Sequence, residues 1–353
     1  MRSLKLSLLL VLCILVAPLA DASTVVKVGS ECKKVKELQK IGQDILICTK
    51  VDGKLTWQPS VAQIEERIWT DLQSRRSAMP DATASLEIHF SPTVNKKIAN
   101  VLLNGVNQAA KLWQVQYLPE KPLPTLLFTE KDRDWFISEM KSLNVYSENQ
   151  LSHFDDEVKR NKDRANWAGV TGDGGRIWMT YMIGTGKKAA DSLDAQVAAH
   201  EYTHLAQNAI ASDNFDALTC WQVEGGAAFY GLFLGVSSKG QLAEFTKQRN
   251  TSSNFGGWRG VINQSPSGWE KLLDSFGPNY NHYGCGPDGA YQVGGIANEY
   301  LYSLKGHDGI IAMLTATSKD GNFQSAIEKT FGKPWPTIRK EMSNYLKLVV
   351  AQN

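Results

Sequence analysis

The chain has 353 residues, 42% of them hydrophobic, and a formal charge of only +2, with acidic and basic residues interspersed. That is enough apolar material for one large, well-buried domain or two modest ones, so a disordered chain is not the default. No basic stripe marks a nucleic-acid footprint, and the near-neutral balance implies no bulk electrostatic partner.

The opening stretch, MRSLKLSLLLVLCILVAPLADAS, carries Arg2 and Lys5, an apolar run from about Leu6 to Ala17, and the small-residue pattern Ala20-Asp21-Ala22. This pattern predicts a secretory signal over 1–22, cleaved after Ala22. The run falls short of the ~20 residues that a membrane span needs, and no later segment is apolar enough to cross a bilayer. The expected location is secreted or cell envelope, with no membrane span after cleavage. Removal of Cys13 leaves Cys32, Cys48, Cys220 and Cys285, an even number in an exported chain where disulfides persist. The sequence-local pairing is Cys32 with Cys48 and Cys220 with Cys285, although four cysteines allow three connectivities.

Residues 23–58 form a small unit in which Ile45 to Cys48 and Lys54 to Trp57 flank the turn Asp52-Gly53, a hairpin signal. So short a unit buries little core, and closing the loop from Cys32 to Cys48 contributes on the order of 3 kcal/mol in the chain-entropy picture. It reads as an accessory module for attachment to the cell envelope. Residues 59–81 read as a charged helical linker closed by Pro80.

The main domain is assigned to 82–353. SLEIHFS alternates like a strand, apolar residues recur at helical spacing through Ile98, Leu102, Val106 and Ala109, and PTLLFTE is a second strand. A polar helix from about Glu148 to Asn161 precedes two β-rich runs, Trp167 to Thr171 and Arg176 to Met182, around a Gly-rich turn. Helices are then expected near Leu193 to Ala211, Trp221 to Leu234 and Leu242 to Arg249, with more at the carboxyl end. Between them and that end, Thr251 to Gly289 reads as irregular. Strand, helix, strand followed by helices makes the fold class α+β.

The chemistry concentrates in AAHEYTHLAQ. On a helix His200 and His204 lie one turn apart on one face, so both imidazoles reach one ion, with Glu201 beside them to accept a proton from water. Ala198, Ala199, Leu205 and Ala206 point to a buried helix, where two histidines without partners would be costly. A catalytic metal site needs a third protein ligand. Glu224, in CWQVEGGAAFYG on the next expected helix, supplies one, and Gly225 and Gly226 would let that helix approach closely.

The stretch from WAGVT through HEYTH to WQVEGGA resembles the gluzincin zinc metallopeptidases, with wording closest to the peptidase MA-like and aminopeptidase-N-like families. The resemblance extends over about 82–350 and implies a zincin-like domain: a small mixed sheet with an edge strand, the HExxH helix and a helical carboxyl part. It implies Zn²⁺ held by His200, His204 and Glu224, Glu201 as general base, and a peptide or protein substrate whose backbone pairs with Ala168, Gly169 and Val170. The sequence departs from the family in three respects. Ala228 stands where thermolysin-like enzymes carry an orienting acid, the aminopeptidase Gly-x-Met-Glu-Asn motif is absent, and the oxyanion donor is unmarked. Endopeptidase activity is therefore expected over aminopeptidase activity. Tyr291, His282 and Tyr283 are the candidate oxyanion donors, Tyr291 foremost, and a Cys220 to Cys285 bridge would clamp their loop over the metal. A noncatalytic envelope-binding protein is the rival reading, which the intact Glu201 disfavours.

Overall fold

Two small sheets carry the strands, and eleven α-helices surround them among the residues described by the computed structural model, which are 26–79, 83–114, 122–172, 176–186, 195–251, 265–275 and 290–353. The signal segment 1–22 lies outside those residues. Among the described residues no helix is long and apolar enough to cross a membrane.

The first sheet is the expected small module. Strands β1 (Leu38–Ile41), β2 (Asp44–Val51) and β3 (Lys54–Pro59) form an antiparallel meander in that order. Asp52 and Gly53 both take positive φ, at 51° and 81°, which is what a two-residue hairpin turn requires. A Cys32–Cys48 disulfide, with Cα atoms 5.8 Å apart, backs a minimal core of Leu46, Cys48 and Trp57. The strand β1, not expected from the sequence, extends the hairpin.

Helix α1 (Val61–Ser77) occupies the segment read as a linker. It is not a free spacer: Val61, Ile68 and Leu72 are buried in the main core. The module is fastened on both sides of its junction with α1. Gln63 accepts a bond from the Ile45 amide at 2.7 Å and donates to the Gln43 carbonyl at 2.7 Å. Gln352, near the carboxyl end, accepts from the Val61 amide at 2.9 Å and donates to the Pro59 carbonyl at 2.8 Å.

The second sheet has the order β4-β5-β7-β6, made of β4 (Leu86–Phe90), β5 (Leu123–Phe128), β7 (Trp178–Ile183) and β6 (Asn166–Thr171). Parallel strands need a crossover, and helix α2 (Lys96–Trp113) provides it between β4 and β5. The inner strands LPTLLF and WMTYMI are buried at every position, as sheets covered on both faces require. β6 runs antiparallel to β7 with Gly169 opposite Thr180, and it is the half-buried edge.

Helices α3 (Arg133–Ser142) and α4 (Glu148–Asn161) cover one face of this sheet, with Phe136 and Phe154 stacked on Phe128 at 4.3 and 5.8 Å between ring centroids. On the other face lies the main core, with α2 and α5 (Ala195–Ala211) packed together and α6 (Cys220–Gly235) and α9 (Ala290–Asp320) packed behind α5, followed by α10 (Phe323–Phe331) and α11 (Trp335–Gln352). Between α6 and α9 lie α7 (Lys239–Thr251) and α8 (Pro266–Ser275). Helix α8 corrects the reading of 251–289 as wholly irregular. Trp269 and Leu273, four residues apart, bury one face despite flanks rich in Gly, Asn and Ser.

A buried charge cluster ties α1, α7, α9 and α11 together. Arg249 donates to Glu299 at 2.7 Å and to Glu65 at 3.1 Å, while the Tyr345 hydroxyl donates to Glu299. Burial, with Glu299 adding and Arg249 opposing, pushes the Glu65 carboxyl up to about 7. A raised acid stabilises the native state below its ordinary value near 4.5 and loses that contribution as pH rises through the native value. Thermal unfolding between pH 5 and pH 8 should show Glu65→Gln melting about 2–4 °C above wild type at pH 8, the gap closing toward pH 5. A gap independent of pH would count against the assignment.

Candidate metal centre

Helix α5 buries its alanine face and Tyr202, Thr203 and Leu205, while His200 and His204 face the neighbouring helix and Glu201, also buried, lines the cleft beside them. Helix α6 is apolar almost all round and buried accordingly, so a carboxylate in its second turn is an expensive element that needs partners. Glu224 finds them. Its Oε2 lies 3.4 Å from His200 Nε2 and 3.5 Å from His204 Nε2, and the two imidazole nitrogens are 3.0 Å apart. The three donor atoms form a near-equilateral triangle, a group that could hold a metal ion.

The helices cross in opposite directions. A Cβ on Gly231 would come within 2.7 Å of the Gln196 carbonyl and 3.1 Å of His200 Cβ, while one on Gly226 would meet Gln207 Nε2 at 2.7 Å. Gly226 thus has the role expected of it, bringing α6 against α5. Gly225 does not: a Cβ there would overlap the backbone of Gly294, so it serves the crossing of α6 with α9.

Gln207 is the residue that sequence reasoning passed over. It lies one turn beyond His204, only 3% exposed, and its Oε1 is 3.0 Å from His204 Nδ1. Its Nε2 donates to the carbonyls of Gln222 and Val223, both at 3.0 Å. Since the amide nitrogen is committed to those carbonyls, the amide oxygen faces the imidazole and accepts from Nδ1–H. In the neutral imidazole that bond places the proton on Nδ1 and the lone pair on Nε2, the form in which a histidine ligates a metal through Nε2. Gln207 therefore fixes the orientation of the His204 ring. Its only signal in the sequence was the i, i+3 spacing in HLAQ.

Electrostatics follow from burial. Desolvation works to raise the Glu224 carboxyl, but the two imidazoles outweigh it and hold the group well below the usual carboxylate range. Desolvation opposes a charge on His204, and Glu224 outweighs it, raising the imidazole to about 9. Burial pushes the Glu201 carboxyl up, with the imidazoles pulling back and Glu224 adding to the rise. A raised carboxyl accepts a proton more readily than an exposed one.

All of this opens onto a cleft of about 710 Å³. The edge strand, including Ala168, Gly169 and Val170, forms one side, and His200, Glu201, His204 and Glu224 line it opposite. Tyr291, at the head of α9, also lines the cleft, its ring stacked on His200 at 5.8 Å and 13°. Cys220 is disulfide-bonded, as the expected pairing requires, while its expected partner Cys285 and the candidate donors His282 and Tyr283 lie outside the described residues. His89 bonds Glu139 at 2.6 Å and His307 bonds Tyr230 at 2.8 Å, both remote in role from the cleft. His153, on α4, lines the cleft as well.

In comparisons with known proteins, no family model, no curated protein and no solved structure matches this chain.

Replacing Gln207 with Leu keeps volume while removing the acceptor at His204. Chelator competition should show metal affinity falling about 10–100-fold, the usual effect of losing such a partner. An unchanged affinity would remove the orienting role.

Proposed function

We propose that the protein is an exported, zinc-dependent metallopeptidase of gluzincin type, with endopeptidase rather than aminopeptidase activity. The observation that carries this reading is the donor triangle of His200, His204 and Glu224, with Glu201 left over beside it in a cleft bounded by an open strand edge. Four-coordinate zinc with ligands at about 2.0–2.1 Å keeps them about 3.3–3.4 Å apart, and the 3.0–3.5 Å sides here fit that requirement. Two nitrogens and one carboxylate oxygen are also the donor set of catalytic zinc sites that keep one position open.

Zinc, when bound, polarises the scissile carbonyl and brings the pKa of water toward ~7. The chain's own groups do the rest. Ala168, Gly169 and Val170 hold the substrate backbone as an added strand, which sets the scissile bond against the α5 wall. Glu201 takes the proton of the attacking water and returns it to the leaving amine. Tyr291 donates its hydroxyl to the oxyanion that develops on the carbonyl. Burial of the site excludes competing water and strengthens these interactions.

A noncatalytic envelope-binding protein could keep the three ligands, but it has no use for Glu201, 8% exposed and set beside them. The leader over 1–22 supports export, and the disulfide-closed module supports attachment to the cell envelope.

Metal analysis of the purified full chain should find about one zinc, and a blocked peptide library should be cleaved. Glu201→Gln should retain the metal and lose about 10²–10⁴-fold in kcat, the range that general-base catalysis contributes. Wild-type rates in that variant, or no zinc, would overturn the mechanism. Cleavage confined to peptides with a free amino terminus would make the protein an aminopeptidase instead.

A further inference from the structure

The cleft has a second wall that the metal chemistry does not use. His153, Glu157 and Arg160 recur along one face of α4 and line the cleft across β6 from the metal ligands. The side chains of β6 divide between the two walls. Ala168 and Val170 pack with the core on the α5 side, whereas Trp167 packs with Phe154 and Phe128 on the α4 side. By strand alternation Gly169 lies on the Trp167 side.

This arrangement leaves a shelf. Trp167 is half-buried, its ring 6.2 Å from that of His153 at 40°. The next residue on that side, Gly169, brings no side chain, and a Cβ there would find only ordinary neighbours, Trp167 Nε1 at 3.5 Å and Thr180 Oγ1 at 3.8 Å. The charged groups nearby are opposite in sign and engaged with their own elements. Glu157 accepts from the Asn166 amide at 3.1 Å and from Asn161 at 2.7 Å, and Arg160 donates to the Asp156 carbonyl at 3.2 Å. What the wall offers a ligand is therefore ring surface and an indole N–H rather than a net charge.

A peptide added to the edge of β6 places successive side chains on alternate walls. We propose that the shelf formed by Trp167, Gly169 and His153 binds a large aromatic side chain of the substrate, at a position whose side chain points away from the metal ligands. The protein is thereby selective for peptides carrying Phe, Tyr or Trp at that position. This rests on the peptidase reading. Offset or edge-to-face packing on Trp167 and His153 adds to simple burial, and differences of this kind give selectivities of about tenfold.

The test uses the zinc-loaded full chain and blocked peptides differing only by Phe or Ala at each position in turn. One position should show kcat/KM for Phe about tenfold above Ala. His153→Ala and Gly169→Val, which remove one side of the shelf and fill it, should bring that ratio toward 1, with melting temperatures confirming that both fold. Cleavage with no aromatic preference, or a ratio unmoved in both variants, overturns the proposal while leaving the peptidase reading intact. If no peptide is cleaved, the peptidase reading fails, and the shelf is judged by fluorescence anisotropy of labelled Phe and Ala peptides. Tighter binding of the Phe peptide that is lost in His153→Ala sustains it, and equal binding of the two overturns it.

Discussion

Everything at the centre of this protein depends on one buried carboxylate held between two imidazoles. Glu224 sits in a helix that is apolar on nearly every side, 5% exposed, and its charge is tolerable only because His200 and His204 stand 3.4 and 3.5 Å away. The packing of α5 on α6 is built to permit that contact. Gly226 and Gly231 let the backbones close, and Gln207 bonds His204 on one side and the α6 carbonyls on the other. The same bonds that join two helices thus aim the donor atoms, so packing error and site error are the same error.

A second buried charge cluster serves a different end. Glu65, Arg249, Glu299 and Tyr345 link α1 to three later helices and face no cleft residue of the proposed chemistry. Two carboxylates share one guanidinium there, which makes the cluster sensitive to pH. The module and the main domain meet through α1, whose apolar face belongs to the main core while its amino end is bonded to the module.

The site was legible where the signal is local. A four-residue spacing on a helix places two imidazoles on one face whatever the fold, and Glu224 stood out as a lone acid in an apolar run. The β6–β7 hairpin, α2 and α4 were likewise visible as periodicity. What escaped depends on which element lies opposite. Gln207 was in plain view within HLAQ, but its function exists only because the α6 carbonyls come within 3.0 Å. Gly225 reads like Gly226 until α9 is seen crossing on its far side. Helix α3 was missed although Phe136 and Met140 are four apart and both buried, because the charged residues around them, Arg133, Asp134, Glu139 and Lys141, mask the stripe. His153 became interesting only when the sheet edge brought Trp167 beneath it.

The clasp at Gln352 sets an order of assembly. The junction between module and main domain, at Pro59 and Val61, is completed by a side chain 291 residues after Val61. The module comes first in the chain, and its disulfide joins residues only 16 apart, so it can close on local information alone. Until α11 is in place, the module is held to the rest of the chain by its contacts with α1 alone. Completion of the junction is therefore a late event, and one that a few residues trimmed from the carboxyl end would undo without touching His200, His204 or Glu224.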